Sequence, residues 1–154
     1  MYRQALTELA RLDVPGVAIN YDVDSIPESL PRGRLPALLV LPIDPKDLID
    51  DRRLFRERGD GLRVPAFSDG LRTISYPVTH LLLVAPLAAG SGLRTHLPGL
   101  VDLIDAYFGA LAAEVTLGGR LLEPARVRVE PGIFTYGDVA YCGCAFRHTW
   151  IIGV

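Results

Sequence analysis

The last stretch of the chain, "VAYCGCAFRHTWIIGV", gathers the residues best able to do chemistry: Cys142, Cys144 and His148, with Trp150 two positions on. Two thiolates and an imidazole suit zinc. Their spacing argues otherwise. In an extended strand Ala140, Cys142, Cys144, Phe146, His148 and Trp150 share one face, because side chains alternate with period two. Ligands at every second residue of one strand do not wrap a tetrahedron, and a closed zinc site needs four of them. Free cysteine otherwise behaves as a small buried hydrophobe. The two cysteines therefore read as core, and His148 is expected at the core edge with one backbone hydrogen bond. A thiol- or zinc-dependent enzyme built on Cys142, Cys144 and His148 is the alternative.

The other candidates are weaker. His80 and His96 form no metalloprotease pair with each other or with His148. "GSG" at 90–92 precedes a helix, but no lysine follows at phosphate-loop spacing. Ser91 in "AGSGL" is expected to cap that helix rather than act as a nucleophile. Asp22 and Asp24 sit at a strand end and read as solvated. Asp102 and Asp105 are three apart on the outer face of the long helix. No catalytic residue, cofactor site or metal site is expected.

The totals bound the rest. A chain of 154 residues is expected to form one domain with a substantial core. Hydrophobic residues make up 49% and charged residues 22%, ordinary values for a globular protein. A net charge of −2 gives no general reason to expect nucleic-acid or anionic-membrane binding. No uninterrupted apolar run is long enough to cross a bilayer. The first residues lack the apolar centre of a signal peptide. Two cysteines one pleat apart make no disulfide framework, so an intracellular origin is the simplest expectation. Lys46 is the only lysine, and the other basic residues are arginines. The planar guanidinium fork suits subunit interfaces.

Elements that would position these residues follow from periodicity. Residues 2–12 place Ala5, Leu6, Leu9 and Leu12 at helical spacing. "VAINYDVD" alternates as a strand, and "ALLVLPI" reads as a strand covered on both faces. Residues 44–70 are densely charged and read as a solvated loop or short helix. "LRTISYPVTHLLLVAPLA" is a bent strand, or two strands broken near Pro77. The long helix, about 94–115, carries a Leu100, Ile104, Phe108 and Leu111 stripe, with Ser91 or Thr95 as cap and Gly118–Gly119 as stop. Strands around a turn-rich link close the chain. The expected fold is α+β: a mixed, largely antiparallel sheet with both helices on one face, in a single domain spanning 1–154.

This arrangement resembles the tail terminator and tail-completion (neck) proteins of long-tailed bacteriophages. The resemblance is carried by the order of elements: the short helix, a strand with "YD", "LPALLVLP", the charged excursion, "HLLLVAPL", the long helix and "VRVEPGIFTYGDVAYCGCAFRHTW". It spans roughly 14–43 and 73–154, and 44–70 has no counterpart. It implies a structural virion protein without enzyme activity. Such a protein forms a homo-oligomeric ring, a hexamer in that family, which caps the tail tube and joins it to the head connector. The implied partners are the chain itself, the tail tube protein and neck proteins. The implied location is the virion, with assembly in the host cytoplasm and the ring lumen able to pass DNA. A non-viral binding module of the same fold is a further alternative. Interfaces favour arginine and aromatic anchors, so Arg126, Arg128, Arg147, Phe134 and Tyr136 are interface candidates. From the charged excursion, Arg52, Arg53 and Arg56 join them. The strand arginines are expected to pair with carboxylates across a subunit seam.

Overall fold

The computed structural model of the chain describes residues 1–43, 63–68, 71–88 and 92–153. Helix α1 (Tyr2–Ala10) leads into β1 (Ile19–Tyr21) and β2 (Ala37–Leu41). Strands β3 (Arg63–Ser68) and β4 (Leu71–Pro86) follow, then a 3₁₀ turn at Leu93–His96 that runs into α2 (Leu97–Ala113). The chain closes with β5 (Arg126–Tyr136) and β6 (Val139–Gly153). One sheet results, in the order β1-β2-β4-β6-β5, with β3 paired to β4. The β1–β2 pair is parallel and the others are antiparallel. The expected α+β fold with a mixed, largely antiparallel sheet is what forms.

The centre of the sheet is the long β4–β6 ladder, running from Thr73 opposite Gly153 to Pro86 opposite Tyr141. Pro77 does not break β4. Among the described residues β3 leaves β4 at Ser75 and β2 joins it at Thr79. Among the described residues Pro77 therefore has a strand neighbour on one edge only, where a missing N–H is tolerated. Strand β3 lies inside the segment read from sequence as loop or short helix, and residues 63–68 correct that reading. The interval 44–62 lies outside the described residues.

The closing strands are also longer than expected. Pro131 and Gly132 do not interrupt β5, which reads straight through to Tyr136. The turn is two residues, Gly137 and Asp138, both at positive φ (54° and 63°). That is the primed turn whose twist matches a hairpin. A Cβ on Gly137 would also come within 2.8 Å of the Glu28 carbonyl oxygen, so the loop before β2 packs directly on this turn.

Side-chain alternation splits the core in two. Leu38, Val40, Val78, Leu82, Cys142, Cys144, Phe146, Trp150 and Ile152 face both helices. Leu39, Leu41, Leu81, Leu83, Tyr141 and Ala145 face the other way, where Ile26, Leu30 and Leu35 of the 22–36 loop cover them. Proline-rich sequence thus does on one face what helices do on the other.

Helix α2 departs from the expected stripe. Its buried residues are Leu100, Leu103, Tyr107 and Leu111. Phe108 is 42% exposed and meets Phe146 edge-on, while Ile104 is half-buried. The helix is rotated so that Tyr107 points inward and stacks on Phe146, with ring centroids 3.6 Å apart. Hydrophobic periodicity alone favours Phe108 for that place, since it does not register the hydroxyl's polar partners. Thr95 does not cap the helix: it lies in the 3₁₀ turn, and His96 occupies the cap position without a side-chain bond. The Ser91 expectation lies outside the described residues. Pro98 stands in the first turn as expected, and Gly118 and Gly119 take positive φ in the turns after the helix.

Candidate functional site

Under α2 lies a chain of polar side chains drawn from four elements. Trp150 and His148 come from β6, Tyr107 from α2, His80 from β4 and Asn20 from β1. The alternation of β6 puts His148 and Trp150 on the helix-facing side. The register places His80 opposite Phe146 and Val78 opposite His148. Heavy-atom separations are 3.1 Å from Trp150 Nε1 to His148 Nδ1 and 2.6 Å from His148 Nε2 to Tyr107 Oη. They are 2.8 Å from Tyr107 Oη to His80 Nδ1 and 2.8 Å from His80 Nε2 to Asn20 Oδ1. Asn20 Nδ2 then reaches the Leu9 and Leu12 carbonyls at 3.0 and 3.4 Å, at the end of α1.

The proton positions follow from the two ends. Indole N–H can only donate, so His148 accepts at Nδ1 and, neutral, carries its proton on Nε2. That N–H donates to Tyr107, whose hydroxyl must then donate to His80 Nδ1. His80 donates from Nε2 to Asn20 Oδ1. From the other end, Asn20 points its amide N–H groups at two backbone carbonyls, which leaves its oxygen to accept from His80. Both ends dictate the same direction. No buried side-chain nitrogen or oxygen among the described residues lacks a partner.

Burial sets the protonation states. His80 is 0% exposed and His148 1%. Removal from water disfavours the imidazolium. It holds His80 well below the usual histidine range, helped by the neighbouring His148, and pushes His148 down to about 3. The same burial raises the Tyr107 phenol well above its ordinary value, with Cys144 adding to the effect.

His148 was expected at the core edge with one backbone bond. It is instead fully buried with both ring nitrogens engaged by side chains. Those bonds leave no free lone pair for a metal. Cys142 and Cys144 are free thiols, both 0% exposed. Burial pushes Cys144 up to about 12 and Cys142 upward, the reverse of what a thiolate nucleophile needs. Among the described residues no group of three or more His, Cys, Asp or Glu side chains is placed to hold a metal. Asp22 accepts from Thr7 and from the Val23 amide, and Asp24 pairs with Arg3. Asp102 and Asp105 are exposed on α2.

The opposite face of the sheet, at its β5–β6 end, carries the arginines. Arg128 and Arg147 stand opposite each other in the ladder and both bind Glu130, Arg147 at 2.5 Å. The two guanidinium groups hold the Glu130 carboxyl below its ordinary value. Arg126 pairs with Glu123 at 3.3 Å and borders a shallow depression formed with Thr73, Leu122, Pro124, Thr149 and Ile151. Carboxylates of the same chain thus hold the arginines for which partners across a seam were expected. The Arg126 and Arg128 side chains remain 79% and 75% exposed. Arg147, at 24%, is largely covered.

Of the aromatic candidates, Phe134 is half-buried against the loop-covered core. Tyr136 is 5% exposed and donates its hydroxyl to the Pro27 carbonyl, so its ring ties the hairpin to the 22–36 loop and offers no surface to a neighbour. Arg52, Arg53 and Arg56 lie outside the described residues. Sequence reasoning missed Asn20, His80 and Tyr107. The available signal was weak: single polar residues at inward positions of otherwise apolar elements. No helix among the described residues is long and apolar enough to cross a membrane. Comparison with known protein families, curated proteins and solved structures finds no match to this chain.

Proposed function

We propose that the chain is a structural ring subunit at the head-proximal end of a long-tailed phage tail, capping the tail tube and joining it to the head connector. The observation that carries the reading is the order and layering of elements. A short helix, a parallel strand pair, a charged interval, a long central strand, a second helix and a closing hairpin form one sheet with both helices on one face. This is the sequence of elements on which the resemblance to tail terminator and neck proteins rests.

Two surface features suit a subunit that meets copies of itself. Strand β5 is an 11-residue sheet edge, paired on one side among the described residues and flanked by exposed Arg126 and Arg128. An open edge of that length is a template for pairing unless it is covered or charged. Helix α2 also leaves Leu97, Val101 and Phe108 41%, 54% and 42% exposed. The alternative enzyme on Cys142, Cys144 and His148 has less to stand on, because it would have to unseal both thiols and break both His148 hydrogen bonds. Electron microscopy of the purified protein, alone and with the tail tube protein of its own genome, tests the proposal. Rings that cap tube ends are expected. Tubes with bare ends and dispersed single subunits would contradict it.

A further inference from the structure

The hydrogen-bonded chain under α2 has no role in the ring reading, and its geometry carries an inference independent of that reading. We propose that Trp150–His148–Tyr107–His80–Asn20 is an acid-sensitive latch that fastens α2 to the sheet and releases it when either imidazole takes a second proton.

Each imidazole has one N–H and one lone pair, and both are used. A second proton on His148 lands on Nδ1, which then points an N–H at the indole N–H of Trp150. A second proton on His80 lands on its Nδ1, facing the Tyr107 hydroxyl. Tyr107 must then accept from both imidazoles, and its own proton has no acceptor. Either event leaves a buried donor unsatisfied and a buried charge uncompensated, and both are costly.

The surroundings supply no remedy. Around the two rings stand Tyr107 from α2, Trp150 from β6 and Asn20 from β1, and Cys144 acts on Tyr107. The ladder neighbours are apolar: Val40 from β2 and Phe146 from β6 beside His80, Val78 from β4 and Val127 from β5 beside His148. From α1 and the turn after it come the Leu9 and Leu12 carbonyls, and α1 brings Tyr2, which stacks on Tyr76 and meets Trp150 edge-on. Among the described residues no carboxylate bonds to either imidazole. Glu130 acts on Cys144 from β5, and Arg128 and Arg147 already bind it.

Both rings are sealed, so the proton arrives from water only after a local opening. Uptake then traps the open state. The bond to the helical layer that a second proton abolishes is that of α2, from the Tyr107 hydroxyl to His80 Nδ1, while Asn20 keeps its bonds to His80 and to the Leu9 and Leu12 carbonyls. The β4–β6 and β5–β6 ladders lie outside the chain. Acid therefore frees α2 before the hairpin sheet.

The sign follows from linkage. Both histidines have folded pKa values below the ordinary value, so the open state binds more protons. The stabilisation is complete above about pH 6.5 and is lost as pH falls below it. Each histidine contributes about tenfold in the opening constant per pH unit, so two contribute roughly a hundredfold.

Nitrogen-15 NMR of the imidazoles in the wild-type protein tests the tautomers without any substitution. Both rings are expected to remain neutral with the proton on Nε2 at pH 5.5 in the folded form. A folded-state titration of either ring near its ordinary value overturns the proposal. Native-state hydrogen exchange at pH 7 and 5.5 tests the release. Protection of α2 amides, after correction for intrinsic exchange, should fall roughly seventyfold in total between pH 7 and 5.5 while β6 amides keep theirs. An equal fall in all elements, or none, overturns the latch. His80→Gln and His148→Gln should each remove about half of the logarithmic pH dependence where they fold, and an unchanged dependence in either overturns it. The wild-type measurements decide the matter if neither variant folds.

Discussion

The two faces of the sheet handle polar side chains in opposite ways. Under the helices, a tyrosine, two histidines and a tryptophan are sealed from water and bonded end to end, and a half-buried asparagine closes the chain. At the β5–β6 end of the other face, Arg128, Glu130 and Arg147 make a three-membered contact near water. The buried set has one arrangement that satisfies it, so it fixes which side of α2 docks and how α1 ends. The surface set can exchange any partner for water, so it contributes little to the fold and remains available to a neighbouring molecule.

The largest expected effect that sharpens this contrast is Tyr107→Phe. It removes one oxygen and leaves His80 Nδ1 and the His148 Nε2 proton unpartnered. At about 1–3 kcal/mol for each buried group left unsatisfied, urea unfolding at pH 7 should show a loss of about 4 kcal/mol. A loss under 1 kcal/mol would place the hydroxyl outside the network. The double change Cys142→Ala and Cys144→Ala touches the same face but only its packing. It should cost about 1–3 kcal/mol from lost contacts, and both thiols of the native protein should resist labelling reagent. Rapid labelling would contradict their burial.

Glu130→Gln, on the other face, should change stability by about 0–1 kcal/mol at pH 7. Its pH dependence runs in a separate window. The Glu130 carboxyl is held below its ordinary value, so its contribution is present above the usual carboxylate range and is lost as pH falls through the lowered folded value. The histidine contribution is already declining by then. Stability curves measured for Glu130→Gln and wild type should therefore run parallel between pH 7 and 5.5 and converge at lower pH. Divergence in the upper window would couple the two faces and break the comparison.

The legibility of these regions in the sequence also differs. Alternation along 140–150 placed Cys142, Cys144, Phe146, His148 and Trp150 on one face, and the structure keeps them there. Period-two patterning is strong where one face is buried. The same logic gave α1 from Ala5, Leu6 and Leu9, and β2 from its unbroken apolar run. The inward turn of Tyr107 was not legible. It depends on His80 and His148, 27 and 41 residues away in the chain, meeting its hydroxyl in space. Nor was the cover on the second face, because Ile26, Leu30 and Leu35 sit in a proline-rich loop with no period to read. The arginines were legible as surface residues. Their partners were not, since Glu130 lies two positions from Arg128 on the same strand face and reaches Arg147 only through the β5–β6 register.

Light scattering coupled to size-exclusion chromatography tests the ring proposal most directly. It compares the wild-type chain with Arg126→Glu/Arg128→Glu across a concentration series, with circular dichroism as the folding control. The account predicts a discrete closed oligomer for the wild type and a folded monomer for the variant. Identical oligomers from both chains would remove these arginines from the seam. A wild-type chain that stays monomeric at every concentration, even with its tail tube protein added, would contradict the ring subunit itself.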